Sequence, residues 1–244
     1  MILTNNVFDF HVHCGWTHNM YHNPNDLKNL LQVCPQIKGC LCSSLSGIFD
    51  YATGRDDLFQ ALDISNVVGC FWVNPYLPKW ADKIKHDCFN KQFLSSKIPC
   101  IELSPTANQY EPTEKFLKPV WQFCQDNEKF IVIHTDSNRN RPDKLIPLLE
   151  KFPDVAVVLC YLGTGPINIC IAKLFRQVYL ETSFDQQTLD FSSLKHALDI
   201  LGPDRLLFGS NYPLVFSVGR DKKGKHHGIT AKRLWQQQYI HHRF

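Results

Sequence analysis

The sequence lacks the segments that would direct a chain into or across a membrane. No window of its 244 residues approaches the roughly 18 consecutive apolar residues of a transmembrane helix. The first residues, MILTNNVFDF, contain no basic stretch followed by an apolar run, which is the pattern of a secretory signal peptide. We therefore expect a cytoplasmic protein without a membrane partner.

Cysteine is present, but it lacks the density and spacing of a disulfide scaffold. The ten cysteines are scattered, and no two of them form a Cys-x-x-Cys motif. Cys40, Cys70, Cys100 and Cys160 all fall in apolar, strand-like runs, which favours buried free thiols in a reducing compartment. The stretch from Cys40 to Cys42 resembles a metal-binding pair, but we interpret it as core packing.

An excess of one charge is absent except near the end of the chain. The formal net charge is +3, and residues 219–244 alone hold seven Lys and Arg against one acid. The rest of the chain is therefore slightly acidic, and we do not expect it to bind nucleic acid. We expect residues 1–218 to form a single domain and residues 219–244 to form a basic, divergent tail or terminal helix.

Short apolar runs alternate with helical patterns along the whole chain. Continuous apolar strands separated by helices indicate a parallel sheet covered on both faces. Eight such units predict an α/β fold, namely a distorted (β/α)8 TIM-like barrel, with a doubly wound open sheet as the alternative. The eight runs are NVFDFHVHC, IKGCLCSS, VVGCFWVNP, IPCIELSP, KFIVIHTD, VAVVLCYLG, QVYLETS and RLLFGSNYP.

The first strand, FDFHVHCGW at residues 8–16, carries an acid and two imidazoles. Because side chains alternate between the two faces of a strand, Asp9, His11 and His13 are predicted to share one face. Two imidazoles on one face can lean toward a common metal ion. The alternative is a pair of core histidines that neighbouring polar groups satisfy.

Polar residues also lie at the carboxyl ends of the other predicted strands. The active site of a parallel barrel forms at the carboxyl ends of its strands, so His134 of the fifth strand would face the first-strand pair from across the barrel. Three converging imidazoles predict a metal site. The polar residues at the strand ends are His11, His13, Asn74, Glu102, Ser104, His134, Asp136, Tyr161, Glu181 and Asn211.

These segments together resemble the amidohydrolase superfamily, in particular its compact branch of metal-dependent hydrolases related to aminocarboxymuconate-semialdehyde decarboxylase. FDFHVHCGW is similar to the family's first-strand His-x-His, and the stretch from IELSP to IVIHTD resembles its fourth and fifth strands. VVLCYLGTG, VYLETS and RLLFGSNYP resemble strands six, seven and eight. The resemblance covers residues 6–213 in order.

The resemblance implies one divalent metal ion, with zinc as the expected metal. His11, His13 and His134 match the family's metal ligands, and Glu102 or Asn211 would complete the shell. The sequence departs from the family where Tyr161 replaces the strand-six His and Asn211 replaces the strand-eight Asp.

The second of these departures bears on catalysis, because an Asn amide can ligate a cation but cannot accept a proton near neutral pH. Glu102 or Asp136 is then the expected base. The catalytic candidates are Glu102, Asp136, Tyr161 and Asn211.

Loops at the same end of the barrel supply candidates for substrate binding. Arg55 follows the second strand, and Arg139 and Arg141 follow the fifth. A guanidinium offers a planar fork that suits a carboxylate-bearing substrate, although each arginine could equally be a solvated loop charge. Trp16, just past the histidine pair, would form a wall of the pocket.

The expected activity is metal-dependent hydrolysis, in which a metal-activated water attacks an amide, ester or lactone of a small-molecule substrate. One alternative is nonoxidative decarboxylation of an unsaturated carboxylic acid. The other is a catalytically impaired barrel that serves as a binding module, since fold alone does not decide function. A homodimer is an open alternative for the assembly.

Overall fold

The computed structural model describes residues 7–17, 20–89, 92–135, 140–162, 166–183, 191–214, 218–220 and 226–228. Its strands are β1 (Val7–Trp16), β2 (Tyr21–His22), β3 (Ile37–Ser44), β4 (Val67–Trp72), β5 (Cys100–Leu103), β6 (Phe130–Ile133), β7 (Val157–Leu159), β8 (Val178–Glu181), β9 (Leu206–Leu207), β10 (Val218–Arg220) and β11 (His226–Gly228). Its α-helices are α1 (Asp26–Val33), α2 (Tyr51–Leu62), α3 (Trp80–Ile84), α4 (Gln92–Lys97), α5 (Glu114–Asp126), α6 (Ile146–Lys151), α7 (Pro166–Leu174) and α8 (Phe191–Leu201). Short 3-10 helices cover Leu45–Ile48, Pro142–Leu145 and Pro203–Arg205, and a π-helical turn covers Lys85–Phe89.

The strands form one sheet in the order β2-β1-β3-β4-β5-β6-β7-β8-β9. All neighbours from β1 and β3 onward are parallel, and only the short β2 is antiparallel to β1. β10 and β11 form a separate antiparallel pair.

The segment after β9 returns to the edge of β1 opposite β3 and closes the sheet. The Phe10 amide donates to the Phe208 carbonyl at 2.7 Å, and the Asn211 amide donates to the His11 carbonyl at 2.8 Å. Val12 also pairs in parallel with Tyr212. Eight parallel strands, β1 and β3 to β9, therefore surround one interior, which confirms the predicted barrel.

Two apolar layers follow from the register of the strands. Residues that pair across parallel strands share a face, so Cys70 with Cys100 and Val132 with Val158 mark the inner face. A larger core packs the outer face against the helices. The interior cluster consists of Leu41, Cys70, Cys100, Val132, Val158 and Cys160.

The cysteines agree with the prediction from the sequence. None is in a disulfide, and nine are buried, including Cys40, Cys70, Cys100 and Cys160; Cys170 is exposed. The described part of the chain contains no helix long and apolar enough to cross a membrane.

Strand β1 departs from the regular alternation expected of it. Its pairing with β3 shifts between Asp9 and Val12, which is the mark of a bulge. As a result the consecutive residues Phe10 and His11 both face the interior. Phe10 packs against the interior cluster, and the His11 ring lies beside the Tyr161 ring. Asp9 is instead tied to the closing segment, where its Oδ1 accepts the Ser210 amide at 2.9 Å.

Candidate metal centre

The three histidines meet at the carboxyl end of the barrel. The ring centroids of His11 and His13 are 4.7 Å apart, and that of His134 lies 5.2 Å from His11 and 6.4 Å from His13. His11 and His13 are 3% and 1% exposed. The bulge in β1 and the end of β6 thus bring imidazoles that are distant in the sequence into contact.

Hydrogen bonds at the Nδ1 atoms orient the rings of His11 and His13. His11 Nδ1 donates to Glu181 Oε2 at 2.8 Å and lies 2.9 Å from the Ser183 hydroxyl. His13 Nδ1 lies 2.8 Å from the Ser43 hydroxyl. An ionised carboxylate only accepts, so Nδ1 of His11 carries a proton and Nε2 is the nitrogen left to face an ion.

The two Nε2 atoms are buried, and neither makes a hydrogen bond of normal geometry to a described residue, although the Cys160 side chain approaches His11 and the Asn211 side chain approaches His13. A buried imidazole nitrogen without a partner is costly unless a ligand completes it. An imidazole fixed at Nδ1 by a carboxylate, with Nε2 left for an ion, is the usual arrangement of a metal-binding histidine. The first strand therefore fits a divalent ion.

Glu102 from β5 supplies a charge beside these rings. Its Oε1 accepts from His134 Nε2 at 2.6 Å and lies 3.9 Å from His11 Nε2. Burial acts to raise the pKa of Glu102, but the hydrogen bond from His134 and the neighbouring imidazoles outweigh it and lower the pKa to about 2. Glu102 is therefore a buried carboxylate that stays ionised at neutral pH.

The pKa values of His11 and His13 are shifted in opposite directions. Burial, reinforced by the charge of His11, lowers the pKa of His13 to about 3, so its ring is neutral and able to ligate. For His11 burial also lowers the pKa, but Cys160 and the Glu181 carboxylate outweigh that effect and hold the pKa well above its usual value. The Glu181 carboxylate therefore favours the protonated form of His11, whereas burial favours the neutral form of His13.

Cys160 is one residue of this site that the sequence did not predict as a ligand. It directly follows β7, is fully buried, and its sulfur belongs to a group with His11 and His134 whose ligand atoms lie within 4.8 Å of one another. Burial raises the pKa of this thiol to about 12. Its position at a strand end was a signal, but an apolar run with a cysteine favoured the core interpretation.

A second group of the same kind contains His11, His13 and Glu102. The two groups share His11 and together offer nitrogen, oxygen and sulfur donors, which are the ligand types of zinc. The described residues of the site thus provide a donor set that suits a divalent ion.

Tyr161 and Asn211, the two positions where the resemblance implies a His and an Asp, border the histidines. The Tyr161 ring centroid lies 5.1 Å from that of His134 and 5.8 Å from that of His11. Asn211 is 5% exposed, and its side chain faces His13 closely enough to act on that ring's pKa in the raising direction.

Trp72 also contacts the site without having been predicted. Its ring centroid lies 5.6 Å from that of His134. Its Nε1 donates to Asn108 Oδ1 at 3.0 Å, and Asn108 donates in turn to the Ile48 carbonyl at 3.1 Å. These bonds fix the indole as a wall beside His134.

The remaining predicted residues either make contacts of their own elsewhere or lie outside the described residues. Trp16 is 50% exposed and packs on Tyr21. Arg141 forms an ion pair with Asp143 at 3.0 Å. Asp136 and Arg139 lie outside the described residues, and the roles proposed for all four residues stay predictions.

Arg55 is likewise already paired. On α2 it forms ion pairs with Asp56 at 2.8 Å and with Asp87 at 3.0 Å. A guanidinium held by two carboxylates has less charge to offer a substrate. Its role in substrate binding stays a prediction.

The family model for amidohydrolases matches residues 66–222 of this chain. The chain belongs to the amidohydrolase family, as the resemblance of its strands predicts. The match begins after β1, so the arrangement of His11 and His13 is evidence independent of it. None of the curated proteins matches the chain.

Solved structures share the barrel at low sequence identity. 4-Oxalomesaconate hydratase from Rhodopseudomonas palustris has a TM-score of 0.64 and 13% identity, and the alignment covers 97% of this chain and 89% of the hydratase. Dihydroorotase from Campylobacter jejuni has a TM-score of 0.58 and 12% identity over 96% and 77% of the two chains. 5-Carboxyvanillate decarboxylase from Novosphingobium aromaticivorans, complexed with manganese and 4-hydroxy-3-methoxy-5-nitrobenzoic acid, has a TM-score of 0.52 and 13% identity over 76% and 70%. These likenesses establish the fold.

Proposed function

We propose that the chain is a metal-dependent hydrolase of a small-molecule amide, ester or lactone. One divalent ion, for which zinc suits the donors, would be held by His11, His13 and His134, with Glu102 or Asn211 completing the shell. The observation that carries the proposal is the pair of buried Nε2 atoms on β1, each on a ring whose Nδ1 is engaged by a neighbour. Two such buried nitrogens would destabilise the fold if no ligand bound them.

An ion bound there would supply Lewis acidity, which polarises a carbonyl and lowers the pKa of water. The protein's own part is to receive and pass the proton. Glu102 is ionised and buried, so its carboxylate can accept a proton while Oε1 keeps the hydrogen bond that His134 Nε2 donates at 2.6 Å. The Tyr161 hydroxyl and the Asn211 amide can hydrogen-bond a substrate oxygen at the same end of the barrel.

A second function is favoured by one specific residue. Asn211 stands where the family's Asp takes the proton, and an amide does not accept protons at neutral pH. This substitution supports a barrel that binds a metal and a small molecule without turnover. Decarboxylation of an unsaturated acid stays the enzymatic alternative, because the barrel is also that of a decarboxylase.

Elemental analysis of protein without a histidine tag tests the metal proposal. We expect about one equivalent of a divalent transition metal in the wild type, and its loss in the double variant His11→Ala/His13→Ala. The control variant replaces His226, His227, His241 and His242 by Gln and should keep the metal. Metal retained by the β1 variant would place the ion elsewhere and overturn the proposal.

A hydrolysis screen of lactones, esters and amides then separates enzyme from binding module. Turnover that disappears with a chelator and returns with zinc would support the hydrolase. Metal-loaded wild type that hydrolyses nothing in a broad screen would favour the binding module.

A further inference from the structure

We propose that Cys160 is a ligand of the metal ion, bound as a thiolate; the inference rests on the proposed metal-dependent function. The residue directly follows β7 and is fully buried. Its sulfur and the ligand nitrogens of His11 and His134 all lie within 4.8 Å of one another. The sequence predicted only a buried free thiol here, and its position beside two imidazoles gives it a chemical role.

A second observation points to a ligand at this place. Nε2 of His11 is buried, lies 3.9 Å from Glu102 Oε1 and makes no hydrogen bond of normal geometry to a described residue, while the Cys160 side chain lies within reach of the ring. The group of His11, His134 and Cys160 therefore has an open donor in addition to the sulfur. An ion bound among these atoms would satisfy the nitrogen.

Charge also favours the thiolate. Asn211 stands where the resemblance implies a carboxylate, so the eighth strand brings one negative charge fewer to the site. When the sulfur binds the ion, the S–H bond breaks, the proton passes to solvent and a sulfur–metal bond forms. No electron is transferred, and one negative charge returns to the site from β7.

The chemical consequence is a preference among metals. Thiolate ligands select zinc and other soft ions, whereas carboxylate and carbonyl oxygens suit magnesium and manganese. The donor set of His11, His134 and Cys160 is two nitrogens and a sulfur, and that of His11, His13 and Glu102 is two nitrogens and an oxygen. Cys160 would thus bias the site toward zinc over manganese.

Cobalt substitution of the full chain tests this assignment without reference to activity. We expect cobalt-loaded wild type to show near-ultraviolet thiolate-to-cobalt charge-transfer absorption. Cys160→Ser should lose that absorption completely while it keeps the visible cobalt bands and the same stoichiometry. The matched control is Cys70→Ser, because Cys70 lies in the same interior cluster but in neither ligand group; it should keep the absorption.

Two results would overturn the inference and leave the metal proposal intact. They are bound cobalt in the wild type without charge-transfer absorption, and absorption that persists in Cys160→Ser. Wild type that binds neither cobalt nor zinc would overturn both.

X-ray absorption of zinc-loaded wild type needs no variant, so it stands even where Cys160→Ser does not fold. It should show one sulfur at about 2.3 Å in addition to nitrogen and oxygen neighbours at about 2.0–2.2 Å. A shell of nitrogen and oxygen alone would contradict the assignment.

Discussion

Two residues at the mouth of the barrel, Tyr161 and Asn211, have left-handed backbone conformations, and the resemblance implies a His and an Asp at these two positions. Tyr161 has a φ of 62° and Asn211 a φ of 57°. Asn and Asp tolerate this region because their short polar side chains bond locally, whereas a bulky residue rarely adopts it. Asn168 stabilises the strained turn by donating to the Tyr161 carbonyl at 3.3 Å. An Asp at position 211 is therefore compatible with the backbone as it stands.

The exchange of Asn211 for Asp tests which residue acts as the base. If Glu102 receives the proton, Asn211→Asp adds a redundant charge, so kcat should stay flat or fall. Glu102→Gln should then lower kcat by roughly 10²–10⁴-fold, which is the usual contribution of a general base. Steady-state kinetics on any substrate found in the screen measure both. A rise of that size in Asn211→Asp, with Glu102→Gln unaffected, would instead identify a barrel that lost its base at strand eight.

The buried neutral state of His13 makes the metal-free protein sensitive to acid. Its pKa is about 3 in the folded chain and about 6.5 when unfolded, so the unfolded state binds the extra proton between these values. The free energy of unfolding should therefore fall as pH decreases from about 6.5 to 3, by at most roughly 1.4 kcal/mol per pH unit from this group. Urea unfolding of His13→Gln should show a flatter dependence in that window. Parallel curves for variant and wild type would contradict the assignment.

Among the elements, α2 supports the ends of β1 and β3, where the site is built. Its Asp57 is 4% exposed and accepts from Tyr21 at 2.8 Å, from Ser44 at 3.1 Å and from Ser46 at 2.5 Å. Gly15 makes room for this contact, because a Cβ there would lie 2.5 Å from the Ser44 hydroxyl and its φ is +83°. The loop after β1 is thus fixed by a carboxylate on the neighbouring helix.

Removal of that carboxylate should destabilise the whole domain. Asp57→Ala leaves buried hydroxyl donors without their acceptor, and we expect a loss of about 3 kcal/mol in the free energy of unfolding. Asp56→Ala is the matched control, because Asp56 is 59% exposed and its ion pair with Arg55 is worth about 1 kcal/mol at most. Denaturant unfolding of the two variants compares them directly. Equal losses would mean that the helix, and not the buried contacts, sets the stability.

The elements were largely predictable because each repeats a local pattern. Apolar runs of strand length located β1 and β3 to β9, and polar residues at the ends of those runs located His11, His134 and Glu102. The bulge in β1 was not predictable, since it depends on pairing with β3 and with the closing segment near residue 211. Whether the Cys160 side chain points into the barrel depends on the same closure. The alternation of side chains along a strand does not show which face of that strand becomes the interior.

At the scale of the whole molecule, the site joins the first and last strands of the barrel. His11 and His13 lie on β1, while the segment that closes the sheet contributes Asn211, whose amide bonds the His11 carbonyl. His134 and Cys160 come from the opposite strands. An ion shared among these elements would stabilise the closed barrel, because the unfolded chain does not hold the donors together.

Metal binding should therefore appear as global stability. Zinc at about 100 times its Kd should raise the free energy of unfolding by about 2.7 kcal/mol, which for a chain of this length corresponds to a rise in Tm of roughly 5–10 °C. His11→Ala/His13→Ala should show no such rise. His86→Ala is the control, because that histidine is 85% exposed and pairs only on the surface; it should respond to zinc as the wild type does. Thermal unfolding of chelator-treated protein with and without zinc measures all three, and a zinc-dependent rise in the β1 variant would show that the stabilising ion binds away from the barrel's mouth.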